Sequence, residues 1–398
     1  MVNAAISRAL SLLLRLILAV LLSVTSYAEY GIQVALFISL IPLSTLGVSA
    51  GISRFSSAEK REYIDDYSCA AIYLVSVLSL IAVIAFCNFL PEDIYDGYSW
   101  LAISCLTIGF LCKGILSVYV GSMLARLDTK SAGREEFIDT LIKLFVCATY
   151  VLFIDDDSAS IFLLYTVSSL ATLLLIRPKI KIFMPLDRFR FCCFEIFKAC
   201  IVYSACSLMV MALFYYVRSS LYDIDKALAA QLDVALLIYS VPKVFMSSMA
   251  RASIPLGGAG HHGLSFRHVS VIFFIFAFLG LVLLLAYYAG VITSLFDFLQ
   301  LSSYADSIIP LAILLLGGAF DLYFGVKSGV LFSKGRQKIT LYSVIFAIGV
   351  LLPVSHYALS NYGVLGSAVI VSLTYILLII FMSFFDRFLG GVGGFRRS

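Results

Sequence analysis

The chain has 398 residues, of which 62% are hydrophobic and only 13% are charged. A soluble protein would carry roughly a quarter charged residues and just under half apolar ones. This composition therefore excludes a water-soluble protein and predicts an all-α polytopic membrane protein. The net charge of +4 is modest and gives no support to nucleic-acid binding.

Long apolar stretches follow one another along nearly the whole chain. Because a bilayer core of ~30 Å needs about 20 apolar residues per helix, counting these stretches predicts twelve transmembrane helices. The predicted spans are residues 4–25, 29–53, 67–90, 99–124, 136–154, 159–176, 197–217, 230–252, 269–289, 305–330, 338–356 and 363–385. Arg15 interrupts the first apolar run and no clean small-x-small cleavage site follows, so we interpret this run as a helix and not a signal peptide.

A short basic segment separates the first six spans from the last six. It carries two prolines and five basic residues, namely Arg177, Lys179, Lys181, Arg188 and Arg190. Bases interleaved with apolar side chains suit a segment that lies at an anionic cytoplasmic leaflet, and an ordinary positive-inside loop is the alternative. We predict an N-terminal six-helix lobe (1–176), a basic cytoplasmic connector (177–196) and a C-terminal six-helix lobe (197–398).

The loop charges predict the topology independently of hydropathy. Loops after even-numbered spans carry bases, among them Arg54, Lys60, Arg61, Arg126, Lys130, Arg134, Arg267, Lys334, Arg336 and Lys338. Loops after odd-numbered spans carry acids, among them Glu29, Glu92, Asp93, Asp96, Asp155, Asp156, Asp157, Asp297 and Asp306. Only the seventh loop departs from this, with Arg218 and Lys226. The positive-inside rule then places both termini in the cytoplasm.

Five basic residues fall inside predicted spans: Arg15, Lys113, Lys143, Lys243 and Lys327. A charged side chain at mid-membrane costs ~2.5 to 3.5 kcal/mol on insertion scales, so these residues must face a hydrated cavity or partners. Because they come from both halves, we predict a central cationic cavity between two six-helix lobes, which suits an anionic substrate. Snorkelling to the cytoplasmic end is an alternative for Arg15 and Lys327.

Three acids, Asp139, Asp233 and Asp321, also fall inside predicted spans. Asp139 and Lys143 are four residues apart on one helix face, which predicts a structural ion pair. Asp321 has no partner within four residues on its own helix, so an interhelical pair and a proton-carrying site are both open. All three acids are candidates for cation coupling.

Two prolines occupy equivalent places in the two halves. Pro42 lies in the second predicted span and Pro242 in the eighth. Interrupted helices at matching positions of two halves are a sequence signal of a transporter site. Pro42 and Pro242 are therefore candidate gating residues.

Other chemical signals in the sequence have simpler explanations. Nine cysteines without a C-x-x-C motif predict packing residues and not disulfides or zinc ligands. The acidic stretches 92–96 and 155–157 resemble fragments of Mg²⁺-binding motifs, but they lie on the predicted outer face, where solvated loop ends are expected. His261 and His262 have no third ligand and are predicted in a flexible loop. We predict no cofactor, no metal and no enzymatic activity.

Four stretches carry a family resemblance. They are Ala28–Gly31 (AEYG), Leu46–Arg54 (LGVSAGISR), Gly329–Gln337 (GVLFSKGRQ) and Asn361–Ala368 (NYGVLGSA). In this order within a twelve-span layout, the chain resembles the Wzx-type O-antigen flippases of the multidrug/oligosaccharidyl-lipid/polysaccharide (MOP) exporter superfamily. The resemblance implies alternating access between two lobes in the bacterial inner membrane. The implied substrate is an oligosaccharide linked to undecaprenyl diphosphate, carried from the cytoplasmic to the periplasmic leaflet. It also implies cation coupling, with a polysaccharide polymerase and glycosyltransferases as candidate partners.

Our hypothesis gives Lys113 and Lys243 contacts with the lipid-linked substrate, supported by Arg15, Lys143 and Lys327. Arg54, at the end of the second span, is a further candidate contact. Three alternatives remain. A multidrug or cation antiporter of the same superfamily would have an acidic, hydrophobic cavity. An O-antigen polymerase, which is an enzyme, would carry a large arginine-rich outer loop. A lipid II flippase would commonly have fourteen spans.

Overall fold

The computed structural model describes residues 2–53, 63–95, 98–126, 128–178, 183–258 and 266–393. Within these ranges the regular structure is helical and contains no strand. Eight described helices are long and apolar enough to cross a membrane, which confirms the predicted all-α membrane fold. The chain divides into two compact units, which we call unit 1 (Met1–Met211) and unit 2 (Ala212–Ser398).

Unit 1 is a helical bundle with an aromatic core. Its helices are α1 (Val2–Leu21), α2 (Val24–Thr45), α3 (Val48–Ser53), α4 (Ile64–Phe89), α5 (Glu92–Tyr95), α6 (Trp100–Ala125), α7 (Thr129–Phe153), α8 (Ser158–Ile176) and the first part of α9 (Leu186–Ile224). Helix α6 packs against α4 and α8, and α1 packs against α7. Phe86 and Phe162 stack with ring centroids 5.5 Å apart, and Phe37 lies 4.5 Å from Phe110. This core positions the inward faces of α6, α7 and α8.

The second predicted span is broken into α2 and α3. Leu46 and Gly47 both adopt left-handed conformations, with φ of 50° and 63°, shortly after Pro42, which lacks a backbone N–H. The Ser204 hydroxyl on α9 donates to the Pro42 carbonyl at 2.5 Å. A Cβ on Gly47 would lie 2.8 Å from the Tyr203 ring. The broken helix is therefore packed closely against α9.

Unit 2 contains fewer but longer helices. They are the second part of α9, then α10 (Lys226–Gly258), α11 (Phe266–Tyr288), α12 (Val291–Phe298), α13 (Ile308–Ser333) and α14 (Gln337–Gly393), with a 3-10 turn at Ser302–Ser307. Helix α13 packs against α10, α11 and α14. Helix α10 continues through Pro242 to Gly258, whereas α2 passes through Pro42 and ends at Thr45. The gating roles of Pro42 and Pro242 stay predictions.

Each predicted span falls on a described helix for most of its length, but the count of twelve transmembrane helices is not confirmed. Helix α14 joins the eleventh and twelfth predicted spans across a kink at Gly363, whose φ of 51° and ψ of −123° favour glycine. Helices α1, α7 and α10 carry predicted spans but are not among the eight apolar ones. Helix α9 extends beyond its predicted span at both ends.

All nine cysteines are described, and none of them is joined in a disulfide. Cys200 illustrates their packing role, because a Cβ on Gly51 would overlap its Sγ atom. Among the described residues, no group of three or more His, Cys, Asp or Glu side chains is arranged to hold a metal ion. His261, His262, Asp96 and part of the connector (179–182) lie outside the described residues.

Candidate functional site

Asp139 on α7 is the centre of a charged cluster inside unit 1. Its Oδ2 atom lies 2.6 Å from the Nζ of Lys113 on α6 and 2.9 Å from the Nζ of Lys143 on α7. The Asp139 side chain is only 5% exposed. The predicted Asp139–Lys143 pair is confirmed, and Lys113 adds a link between two helices.

The other carboxylate oxygen of Asp139 is bound by α8. Its Oδ1 accepts hydrogen bonds from the hydroxyls of Ser169 at 3.1 Å and Thr172 at 3.2 Å. Both oxygens are therefore occupied, and hydrogen bonds to an ionised group are stronger than neutral ones. Sequence reasoning missed both hydroxyl residues. Nothing local distinguishes them from Ser168, whose hydroxyl donates to the backbone carbonyl of Tyr165.

Two further groups surround this cluster. The Nζ of Lys143 lies 4.2 Å from the centroid of the Tyr165 ring, a distance at which a cation and an aromatic face attract. Glu135, which sequence analysis did not select, is buried on α7 one turn before Asp139 and interacts electrostatically with Lys113. Lys113 is the most exposed member of its ion pairs, at 22%. The more exposed side chain of the Lys113–Asp139 pair is therefore the base.

Lys243 and Asp321 form the corresponding pair in unit 2. The Nζ of Lys243 on α10 lies 2.9 Å from Oδ2 of Asp321 on α13 and donates to the Tyr375 hydroxyl on α14 at 3.0 Å. The Tyr239 hydroxyl donates to the same Asp321 oxygen at 3.3 Å. Asp321 therefore takes part in an interhelical pair, and its role in cation coupling stays a prediction. The Lys243 side chain is 38% exposed and the Asp321 side chain 14%.

Aromatic rings enclose the Lys243 ammonium. Its Nζ lies 5.3 Å from the Tyr375 ring centroid and 5.7 Å from that of Tyr239. Phe214 meets Tyr375 edge-on with centroids 5.8 Å apart, and Phe324 lies 6.5 Å from Tyr375. The ammonium thus has an acid and two aromatic faces around it while its side chain stays partly accessible.

Lys327 and Asp233 occupy separate positions in unit 2. Lys327 lies 3.8 Å from Asp386 of α14 and donates to the Ser383 hydroxyl at 3.3 Å. Asp233 pairs with Arg218 at 2.9 Å. Neither residue contacts the Lys243–Asp321 pair through a described hydrogen bond or ion pair.

Arg15 and Arg54 are the remaining two predicted basic residues. Arg15 is half-buried on α1 and interacts electrostatically with the buried Tyr30. Arg54 lies outside the described residues. All four predicted lysines therefore lie within 4 Å of a carboxylate, while the substrate-binding and coupling roles of these residues stay predictions.

The fold has clear counterparts among solved structures. A MOP superfamily transporter from Pyrococcus furiosus, described as having a binding pocket of reverse polarity, is 17% identical with a TM-score of 0.68, covering 98% of this chain and 95% of its own. The inward-facing form of a multidrug resistance MATE family transporter has 16% identity and a TM-score of 0.69, covering 99% and 100%. Its outward-facing counterpart has 16% identity and a TM-score of 0.66, covering 99% and 95%.

The chain has the fold of MOP superfamily transporters. At these identities the likeness establishes the fold alone. No family model matches the sequence, and no match was found among curated proteins. The Wzx-type assignment therefore stays a proposal.

Proposed function

We propose that the protein is a flippase that moves an oligosaccharide linked to undecaprenyl diphosphate from the cytoplasmic to the periplasmic leaflet of the bacterial inner membrane. The observation that carries this proposal is that each unit holds a partly exposed lysine beside a more deeply buried acid. Lys113 is 22% exposed beside Asp139 at 5%, and Lys243 is 38% exposed beside Asp321 at 14%. In each pair the basic side chain is therefore the more exposed one.

A diphosphate suits these ammonium groups. A sugar headgroup cannot cross hydrocarbon without leaving polar groups unsatisfied, so its carrier needs a polar passage while the lipid tail stays in the bilayer. Phosphate oxygens form strong charge-assisted hydrogen bonds with lysine. Lys113 can turn to a phosphate without isolating Asp139, because Lys143 and two hydroxyls still hold that carboxylate.

Asp321 is the acid that we favour for cation coupling. If Lys243 turns to the substrate, the Tyr239 hydroxyl, at 3.3 Å, and the Tyr375 hydroxyl stay beside this carboxylate, but its lysine partner is lost. A poorly solvated carboxylate that has lost its ion-pair partner gains most from taking up a cation. Asp139 and Asp233 remain further candidates. In this scheme glycosyltransferases supply the substrate on one side and a polymerase consumes it on the other.

A cation antiporter is the second candidate function. The aromatic rings around Lys243, together with the fold shared with a multidrug resistance transporter, favour it, because aromatic faces bind organic cations. Against it, the more exposed side chain of each pair is the lysine. The polarity of the substrate therefore decides between the two functions.

The first experiment is mass spectrometry of undecaprenyl-diphosphate lipids in cells depleted of the protein. A membrane-impermeant sugar-modifying reagent reports the leaflet. We expect complete repeat units to accumulate on the cytoplasmic side. Accumulation on the outer side would indicate a polymerase, and an unchanged lipid pool would favour the antiporter.

The second experiment tests the two lysines together. We expect the double substitution Lys113→Ala and Lys243→Ala to abolish transport while the protein still inserts in the membrane. Lys338→Ala, at an exposed position, is the matched control and should transport normally. Unimpaired transport by the double variant would rule out the proposed role of both lysines.

A further inference from the structure

Helix α9 is longer than a bilayer requires. Its 39 residues extend about 58 Å at a rise of 1.5 Å per residue, whereas the hydrocarbon core is ~30 Å thick. The uncharged stretch 199–217 alone extends about 28 Å and accounts for the crossing. The preceding stretch 186–198, which we call the connector helix, therefore lies beyond the hydrocarbon core.

The connector helix has two different faces. One face packs into the core of unit 1 through Cys192 and Ile196, together with residues of α3 and α4. The opposite face exposes Phe191, Phe194 and Phe197, and Phe194 is 64% exposed. Phenylalanine rings on an outward face are unfavourable in water, so this face needs an apolar neighbour.

Basic side chains share the outward face with these rings. Arg190 and Lys198 are exposed, and at 100° per residue they lie on the same side of the helix as Phe194. Neither has an ion-pair partner within the described part of the chain. Arg188, by contrast, lies 3.5 Å from Asp66. Asp187 is exposed on the same side, which leaves this face with a net positive charge.

We propose that the outward face of the connector helix binds anionic phospholipid headgroups of the cytoplasmic leaflet. Arg190 and Lys198 contact the phosphates, and the phenylalanine rings enter the boundary between headgroups and acyl chains. Charged residues exclude this segment from the hydrocarbon core, and its exposed rings exclude it from water. The interface satisfies both requirements. This binding surface is independent of the transported substrate.

The test uses tryptophan fluorescence in lipid vesicles. The sole tryptophan, Trp100, is replaced by phenylalanine, and Phe194→Trp introduces the reporter. In mixed vesicles, brominated phosphatidylglycerol should quench the reporter several-fold more than the same fraction of brominated phosphatidylcholine. Adding Arg190→Gln and Lys198→Gln should make the quenching by the two brominated lipids equal. Phe278→Trp, at an exposed and uncharged part of α11, is the control and should be quenched equally by both.

Three results would overturn the proposal. The first is equal quenching by both lipids while Arg190 and Lys198 are intact. The second is quenching by aqueous acrylamide in place of brominated lipid. The third is loss of phosphatidylglycerol quenching on adding one equivalent of undecaprenyl diphosphate, which would assign this face to the transport substrate. Phe191→Trp provides a second reporter if the first variant does not fold.

Discussion

Two acids, Asp139 and Asp321, one in each unit, are held by different numbers of lysines. Asp139 in unit 1 accepts from two lysines and two hydroxyls. Asp321 in unit 2 has one lysine, Lys243, a longer hydrogen bond from Tyr239 and an interaction with the Tyr375 hydroxyl. The acid of unit 1 is therefore neutralised by two lysines, whereas the acid of unit 2 has a single lysine.

This difference determines which substitution harms each unit. Removing one partner of a buried ion pair is costly because the other charge is left uncompensated. In unit 1, loss of Asp139 leaves two lysines without their shared carboxylate. In unit 2, loss of Lys243 leaves Asp321 without its only lysine. The two units should therefore respond in opposite order to loss of the acid and loss of the base.

The largest effect is expected for Asp139→Asn. It leaves Lys113 and Lys143 near each other without their shared carboxylate, and breaking a buried pair in this way costs about 3 to 5 kcal/mol. Asp321→Asn should cost about 1 kcal/mol, as for an exposed pair, because Lys243 is partly accessible to solvent. The free energy of unfolding in sodium dodecyl sulfate, measured for each variant, gives both losses of stability. A larger loss for Asp321→Asn would contradict the comparison.

For the lysines, the substitution in unit 2 should lower stability more than the substitution in unit 1. Lys243→Met leaves Asp321 with the Tyr239 and Tyr375 hydroxyls but without its lysine, and should cost about 3 kcal/mol. Lys113→Met leaves Asp139 with three donors and leaves Glu135 near Lys143, so it should cost about 1.5 kcal/mol, the low end for a hydrogen bond to a charged group. The same unfolding measurement applies.

A double variant controls for the pair itself. Lys243→Met combined with Asp321→Leu should recover most of the lost stability, because an apolar replacement of a buried ion pair is often neutral. Equal losses for the two single lysine variants would show that donor number does not control stability here.

The helices were predictable because each apolar run is long enough to cross a bilayer, and the Asp139–Lys143 pair was predictable because both residues lie on one helix. The partners of Asp139 and Asp321 on other helices were not predictable, because they depend on packing. Pro42 lies near the break in the second predicted span. The break itself is at Leu46, and it was not predictable because leucine rarely adopts a positive φ. A turn was expected between the last two predicted spans. The structure has a kink at Gly363 instead, and the residues on both sides of it are helical.

The next largest loss of stability is expected where a glycine lies at a contact between two helices. A Cβ on Gly317 of unit 2 would lie 2.8 Å from the Cα of Ser372, and the backbone cannot move aside easily. Gly317→Ala should therefore cost about 1 to 3 kcal/mol, the range for overpacking. The unfolding midpoint measures the loss. Gly349→Ala, where a Cβ meets nothing within 4 Å, is the control and should not destabilise.

A matched pair of double variants distinguishes the glycine contact of unit 1 from that of unit 2. Gly51 of unit 1 faces the Cys200 side chain, so Cys200→Ala should rescue Gly51→Ala. Ser372→Ala should not rescue Gly317→Ala, because the Cα atom remains. Rescue in both cases would mean that α13 and α14 can separate slightly at little cost.

The smallest effect is expected for ion pairs at exposed positions. Arg126 and Asp65 of unit 1 are 44% and 54% exposed, so Arg126→Gln should cost about 0.5 kcal/mol. Arg336→Gln in unit 2 should cost no more, because Lys327 still lies 3.8 Å from Asp386. Salt of about 1 M shortens the screening length to about 3 Å and should remove both differences. The cost of Asp139→Asn should persist at the same salt concentration, because its charges are buried. If the Asp139→Asn cost also disappeared in salt, solvent ions would have access to the cluster, and the distinction between the buried pairs and these exposed ones would be wrong.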